Sequence, residues 1–108
     1  MNTTRSIAIY FMKLTNVQKK FLRQSAHHLK PVVWAGQHGI TEALIKEIDE
    51  VLERHELIKV KCRLGEREER DAGIEKICVE TGAKLVQRIG NIVTLYKKNK
   101  EKPVIKLP

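Results

Sequence analysis

The apolar positions of this chain recur every three to four residues in some segments and every second residue in others. Residues 15–29, TNVQKKFLRQSAHHL, begin with Thr15 and have Gln18 three positions later, which is the spacing of a capping box. Lys30-Pro31 ends the periodic segment. One helical face collects Val17, Phe21, Leu22, Ser25 and Leu29. The pattern predicts a first helix.

A short strand and a second helix follow. The apolar run PVVWAG predicts the strand, which ends at Gly36. Thr41 then stands at an N-cap position, and Glu42 in the first turn suits the helix dipole. The apolar stripe of this helix consists of Leu44, Ile45, Ile48, Val51 and Leu52. We therefore expect an amphipathic helix with one face on a core.

Strict alternation marks the next strand, ELIKVKCR, which has Ile58, Val60 and Cys62 on one side. The other side carries three cations, Lys59, Lys61 and Arg63. These cations form a basic stripe if that face of the sheet stays open, whereas a helix packed over it would confine them to the rim.

The C-terminal third predicts a helix, a hairpin and a tail. After a turn at Gly65 we interpret EREERD as a charged approach to a third helix, which ends at Gly82. The apolar face of this helix holds Ile74, Ile77, Cys78 and Thr81. Gly90-Asn91 separates two strand-like runs, as in a tight hairpin. The basic, proline-containing tail NKEKPVIKLP is interpreted as a loosely held strap.

These elements define a fold class. Their order, αβαβαββ, predicts a single compact α/β domain with a mixed sheet of about four strands and packed helices. Strand-helix-strand units favour parallel neighbours with right-handed crossovers, and the last hairpin adds an antiparallel pair. At 108 residues the chain is long enough for one core and too short for two.

Charge adds a partner class. The formal net charge is +8. Residues 1–41 hold six Lys/Arg and no acid, residues 42–86 nine basic and twelve acidic residues, and residues 87–108 six basic and one acidic residue. Folding that brings the two ends together makes one positive face, which is suited to a polyanion. A generic basic surface without a specific partner is the alternative.

The cysteine spacing argues against a zinc protein, and the length of the apolar runs argues against a membrane-spanning one. Cys62 and Cys78 lie far apart, form no CxxC pair, and fit buried thiols of a reducing compartment better than zinc ligands. The N-terminal run SIAIYFM is too short to span a membrane and lacks a signal cleavage site. It could be an extra strand, a tail, or an extension upstream of a start at Met12.

The four residues GQHG, Gly36 to Gly39, join the first strand to the second helix. A strand-to-helix junction presents backbone N–H groups and the positive end of the helix dipole, which attract anions. Glycines let a sugar-phosphate chain approach the backbone, and Gln37 and His38 add hydrogen bonds without a carboxylate. This is the logic of GxxG loops that clamp nucleotides. A purely structural turn is the alternative.

Four motifs together carry a resemblance to a known family: AHHLKPVV, GQHGITE, HELIKVK and IGNIVTLY. The chain from residue 13 to residue 108 closely resembles the YhbY proteins, the stand-alone bacterial form of the CRM (chloroplast RNA splicing and ribosome maturation) domain. The resemblance implies a fold similar to the C-terminal domain of translation initiation factor 3. It also implies RNA binding through the GxxG loop, and association with precursors of the large ribosomal subunit.

The resemblance divides the chain into a CRM RNA-binding domain, residues 13–108, and an N-terminal extension, residues 1–12, that has no counterpart in the family. The Gln-His loop interior also departs from the family, in which Gly or Lys with Asn is common. We expect a cytoplasmic monomer that binds ribosomal RNA, needs no cofactor or metal, and binds neither membrane nor DNA. The expected RNA-binding residues are Gly36, Gln37, His38, Gly39, Lys19, Lys20, Arg23, His27, His28, Lys30, Lys59 and Lys61.

Several of these residues have a structural alternative. His27 and His28 could contact phosphate or could stabilise the helix C-terminus. Lys19, Lys20 and Arg23 could belong to a solvated helix face. Trp34 could stack a base, but in a short strand we expect it in the core.

Two other functional classes remain open. A protein-docking module would use the basic face to bind an acidic partner, and its binding would survive ribonuclease. A small hydrolase or nuclease could use His38 as an acid-base group beside Glu42, but no nucleophile or paired acid accompanies them. We expect no enzyme.

Overall fold

The computed structural model describes residues 14–36, 38–63 and 65–108. The N-terminal extension that the sequence analysis separates, including Met12, lies outside the described residues. The described elements follow the predicted order: α1 Asn16–Ala26, β1 Pro31–Ala35, α2 Glu42–His55, β2 Leu57–Cys62, α3 Arg67–Thr81, β3 Lys84–Ile89 and β4 Ile92–Tyr96. None of the described helices combines the length and apolarity needed to cross a membrane.

The four strands form one mixed sheet in the order β1-β2-β4-β3. β1 is parallel to β2, while β4 is antiparallel to both of its neighbours, β2 and β3. The expected antiparallel hairpin is confirmed, and Gly90 in its turn has a φ of 61°. The expectation that each strand-helix-strand unit makes parallel neighbours holds only for β1 and β2, because the hairpin places β4 between β2 and β3.

Helices cover both faces of the sheet. On one face, α2 and α3 enclose the larger core, built from Val33, Ala35, Ile48, Leu52, Ile58, Val60, Cys62, Ile74, Ile77, Cys78, Ala83, Leu85, Val93 and Leu95. On the other face, α1 and the C-terminal tail enclose a smaller core of Leu14, Leu22, Ala26, Leu57, Val86 and Tyr96. The alternation predicted for β2 is confirmed, because Ile58, Val60 and Cys62 all belong to the larger core.

Caps fix the helix starts. The predicted capping box of α1 is present: Gln18 N–H donates to Thr15 Oγ1 (3.0 Å) and Thr15 N–H donates to Gln18 Oε1 (3.1 Å). Thr41 caps α2 by accepting from Leu44 N–H at 3.1 Å. Gly82 ends α3 with a φ of 79°, as expected for a left-handed C-terminal position.

The charged stretch EREERD is largely helical, which corrects its interpretation as an approach to α3. The helix begins at Arg67, and the side chain of Glu69 accepts from Glu66 N–H at 2.9 Å. Glu68 and Glu69 in the first turn also suit the helix dipole. Capping and charge therefore start α3 about two turns before Ile74, the first residue of its apolar face.

The buried face of α1 differs from the predicted one at Val17. Leu22 and Ala26 are buried, whereas Val17 is 65% exposed. Five residues separate Val17 from Leu22, which is about 140° around the helix. The core contact is centred on Leu22 and Ala26, and Val17 therefore faces outward.

The C-terminal strap, residues 99–108, is held in place by hydrogen bonds, whereas the sequence predicts a loosely held segment. The buried carboxylate of Glu56 accepts from the backbone amides of Asn99 (2.6 Å), Val104 (2.8 Å) and Ile105 (2.7 Å). Side chains of the strap also complete the smaller core, where Ile105 and Leu107 are half-buried. A single carboxylate thus fastens a segment without regular secondary structure.

Candidate nucleic-acid interface

The GQHG stretch lies between β1 and α2, as predicted, and its two glycines are joined across a turn. Gly39 N–H donates to the carbonyl of Gly36 at 2.9 Å, and Gly39 has a φ of 71°. Gly36 and His38 are exposed. Gln37, a predicted contact, lies outside the described residues. The turn needs a residue that tolerates a positive φ at position 39, which explains that glycine structurally.

The turn also leaves room for a ligand. Within the part of the chain that the structure describes, a Cβ at Gly36 or Gly39 would meet no atom within 4 Å beyond its chain neighbours. Internal packing therefore does not require either glycine to be small. The amides of Glu42 and Ala43 in the first turn of α2 have no intrahelical partner, so the positive end of the helix dipole lies beside the turn.

A groove runs beside the turn, and its wall combines the glycines with one cation and one acid. It is lined by Gly36, Gly39, Ile40, Arg63, Gly65, Glu69 and Gly73. Arg63 N–H donates to the carbonyl of Ala35 at 2.8 Å, which holds this exposed cation next to the turn. Lys76 Nζ donates to the carbonyl of Ile40 at 3.4 Å. Sequence reasoning missed Lys76, because nothing in the periodicity of α3 shows that it reaches the start of α2.

The predicted cations of α1 lie at the other edge of the sheet. Arg23 and His27 line a shallow depression with Gln87 and Ile89 of β3. His27 is also the C-cap residue of α1, and its N–H donates to the carbonyl of Gln24 at 3.3 Å. The remaining predicted residues of this segment are half-buried Lys19 and exposed Lys20, His28 and Lys30. The structure does not bring Arg23 and His27 into the groove of the GQHG turn, because β2 and β4 separate the two edges.

Lys59 and Lys61 lie on the sheet face that α1 and the C-terminal strap partly cover, and both are half-buried. Trp34 lies on the same face and is 61% exposed, so its expected place in the core is wrong. The reason is parity, since Val33 and Ala35 point into the larger core and Trp34 between them must point away.

At the end of the sheet next to the GQHG turn, four register partners cross this face. Trp34 pairs with Lys61, Lys61 with Ile92, and Ile92 with Ile89. We call these four residues the open row. Trp34 and Ile89 at its two ends are 61% and 66% exposed.

Acids are segregated from this face. The described strands contain no Asp or Glu. Ten of the thirteen acids of the chain lie on α2 and α3, namely Glu42, Glu47, Asp49, Glu50, Glu53, Glu68, Glu69, Asp71, Glu75 and Glu80. Two of them are paired, Asp71 with Arg88 and Asp49 with Lys97. The α2–α3 layer is therefore acidic, and the opposite side of the sheet is basic.

The cysteines are buried, as expected. Burial raises the pKa of the Cys62 thiol to about 11 and that of Cys78 to about 12, although nearby Arg88 lowers the former. Burial therefore disfavours the thiolate, which is the reactive form of both side chains. Across residues 14–36, 38–63 and 65–108, no three His, Cys, Asp or Glu side chains converge as metal ligands would.

His38 is exposed on the GQHG turn, and Glu42 is exposed in the first turn of α2. Glu42 lines a groove between α2 and α3 with Lys46, Asp49, Lys76 and Glu80. His38 is not part of that groove.

The sequence and the fold match known proteins. The CRS1 / YhbY (CRM) domain matches residues 14–97. The probable RNA-binding protein YqeI of Bacillus subtilis is 43% identical over 95 residues, which is 88% of this chain and 99% of that protein. An RNA-binding protein of Haemophilus influenzae is 47% identical over 88 residues, 82% of this chain and 89% of its own length.

A solved structure agrees with the sequence comparison. The solution structure of the hypothetical protein SAV1595 of Staphylococcus aureus, a candidate RNA-binding protein, has a TM-score of 0.75 and 39% identity. The match covers 88% of this chain and 99% of that one. The chain therefore belongs to the CRS1 / YhbY (CRM) domain family, as its motifs indicated.

Proposed function

We propose that this protein binds ribosomal RNA in precursors of the large ribosomal subunit and assists their assembly. The observation that carries the proposal is the GQHG turn, because it places an open glycine surface at the N-terminus of α2 with Arg63 beside it. Relatives named as RNA-binding proteins support RNA as the ligand. The subunit and the assembly role rest on the family resemblance.

The physical task of such a protein is to hold one local RNA conformation. The turn and the start of α2 would contact phosphates through backbone N–H groups, and Arg63 would add a charged contact. Contacts of this kind fix position without reading sequence. We further propose that the protein acts as a cytoplasmic monomer, without a cofactor, and that it is not an enzyme.

The first test is sedimentation of tagged protein from a cell lysate on a sucrose gradient at low magnesium, with and without ribonuclease. We expect wild type to run with large-subunit precursors and to be released by ribonuclease. Binding that survives ribonuclease would contradict the proposal and favour a protein-docking module.

The second test is Gly39→Asp, which adds a Cβ and a negative charge where phosphate approaches most closely. We expect more than a tenfold loss of RNA affinity with an unchanged circular dichroism spectrum. Gly82→Asp is the matched control, since it has the same charge change and a similar φ of 79° at the far end of α3. Gly39→Asn, which lacks the charge, should lose less affinity. Equal affinities for Gly39→Asp and Gly82→Asp would exclude the turn from the site.

A further inference from the structure

We propose that the open row is a base-stacking site and that Trp34 stacks an unpaired nucleobase of the bound RNA. The inference rests on the proposed function, since it names the RNA feature that the same interface takes. The ligand would be a single-stranded or bulged nucleotide next to the phosphates held at the GQHG turn. The ligand class is therefore narrower than RNA in general.

The geometry of the sheet carries the first step. Trp34 is two residues before Gly36, so its side chain leaves the sheet next to the turn. Lys61 is its register partner on β2 and projects from the same face. A base stacked on the indole would thus have a cation beside it and a phosphate-binding turn next to it. This combination of aromatic surface and cationic track is the one used by single-strand binders.

Burial carries the second step. Trp34 is the only tryptophan of the chain, yet it contributes to neither core. Its edge strand β1 is anchored without it, because Val33 and Ala35 are each 1% exposed. The fold therefore does not require a large aromatic side chain at this position, whereas a ligand that stacks would.

Charge decides which occupant fits. The open row is an apolar strip interrupted by Lys61 next to Trp34, and at the β3 edge Ile89 shares a depression with Arg23 and His27. The strip spans three inter-strand spacings, about 14 Å. The described strands carry no acid that would repel a phosphate. A second copy of this basic face would instead meet like charge, so RNA is the better partner.

Single-stranded and duplex RNA should then behave differently. In a duplex the bases are stacked on one another and cannot lie on Trp34, whereas unpaired bases can stack on an aromatic side chain. The turn can hold phosphates of either form. Stacking therefore predicts a preference for unpaired RNA that depends on Trp34, together with a phosphate contribution that does not.

Because Trp34 is the only tryptophan, its fluorescence reports the site directly. The experiment titrates the full-length protein with an unstructured 12-nucleotide RNA and, separately, with a duplex of equal length. We expect the single strand to quench Trp34 emission strongly and the duplex to quench it little. In the free protein, acrylamide should quench Trp34 as it does an exposed indole.

Variants separate stacking from electrostatics. Trp34→Ala should lose roughly five- to hundredfold in single-strand affinity, as one stacked base is worth, and much less in duplex affinity. Trp34→Phe should restore part of the loss. Val79→Ala removes an exposed apolar side chain on α3 and is the matched control, with affinity unchanged. Thermal unfolding should show that all three variants fold.

The outcomes are distinct. If RNA binds in a Gly39-dependent manner while Trp34 emission and Trp34→Ala affinity stay unchanged, the stacking site is wrong and the proposed function stands. If no RNA binds the wild type, both fail. If Trp34 in the free protein resists acrylamide, another part of the chain or a second copy covers the row, and sedimentation at two concentrations tells which. Either form of cover would overturn the stacking site.

Discussion

Glu56 has two features that would each destabilise the folded state if they were not compensated. It has a φ of 62°, which side chains other than glycine rarely adopt, and its carboxylate is fully buried. Burial raises the pKa of Glu56, but hydrogen bonds from the amides of Asn99, Ile105 and Val104, together with the charge of Lys98, outweigh it. The pKa therefore lies below its ordinary value of 4.5. The charged form is the one that holds the strap.

Because folding lowers the pKa of Glu56, the free energy of unfolding should depend on pH. A carboxyl whose folded pKa is lowered stabilises the fold above the unfolded pKa, and the contribution is lost as the pH falls through the folded pKa. Glu56→Gln should reduce the free energy of unfolding by about 2–3 kcal/mol at pH 7. The difference from wild type should narrow as the pH falls below 4.5. Urea unfolding at a series of pH values measures it.

Glu53→Gln provides the control, since Glu53 is an exposed acid near the C-terminal end of α2, the helix that Glu56 caps. Its unfolding curve should follow that of wild type at every pH. A constant difference between wild type and Glu56→Gln from pH 7 to pH 3 would show that the charge of Glu56 does not hold the strap.

At the scale of elements, α3 begins next to the candidate site and brings an acid into it. Glu69 lines the groove of the GQHG turn while its carboxylate caps the helix through Glu66 N–H. The helix needs an acceptor at that position, but a glutamine can supply one. The negative charge is therefore separable from the cap.

Glu69→Gln should raise RNA affinity roughly two- to fivefold at low salt, since an exposed like charge is removed from the path of phosphate. The free energy of unfolding should change little. Glu80→Gln, near the other end of α3 and about 16 Å along its axis, should leave affinity unchanged. Fluorescence anisotropy of labelled RNA measures both. An equal gain in both variants would indicate a general charge effect.

Local signals account for most elements, and non-local ones for the errors. The sequence predicts features that act over a few residues, namely the capping box of Thr15 and Gln18, the caps at Thr41 and Gly82, and the alternation of β2. The start of α3 depends on a cap made by two glutamates, which a search for apolar periodicity overlooks. The place of β4 between β2 and β3 depends on pairing between distant segments, which no local pattern encodes.

The candidate site divides in the same way. The glycine turn could be read from spacing alone, because its chemistry lies within four consecutive residues. The role of Lys76 could not be predicted from spacing, because it depends on how α2 packs on α3. The exposure of Trp34 depends on which part of the sheet α1 covers. The sequence did contain one signal for the exposure of Trp34. Successive side chains of a strand point to opposite faces, so Trp34 cannot share the buried face of Val33.

At the scale of the whole molecule, charge is arranged in layers. The α2–α3 layer holds ten of the thirteen acids, and the strands hold none. A net charge of +8 draws the protein to a polyanion from a distance, and the layering decides which side arrives first. Binding should be largely electrostatic and weaken steeply with salt.

Salt titration of single variants would locate the contacts. Arg23→Ala should make the slope of log affinity against log salt less negative by about 0.7 to 0.9, one phosphate contact. Lys102→Ala removes an exposed cation of the strap near the C-terminal end of α2, away from the GQHG turn, and should leave the slope unchanged. Equal slopes for Arg23→Ala and wild type would exclude the α1 edge from the interface.

The acidic α2–α3 layer limits what one copy can do on a folded RNA. With phosphate attracted to the basic face and the GQHG turn and repelled along the acidic sides of α2 and α3, a single molecule is suited to cover one RNA segment rather than to crosslink two. Its effect on a maturing particle would then be to shield a segment from premature pairing until another component displaces it. Bridging of distant segments would require a net positive charge on both layers, whereas the α2–α3 layer holds ten acids against five Lys/Arg.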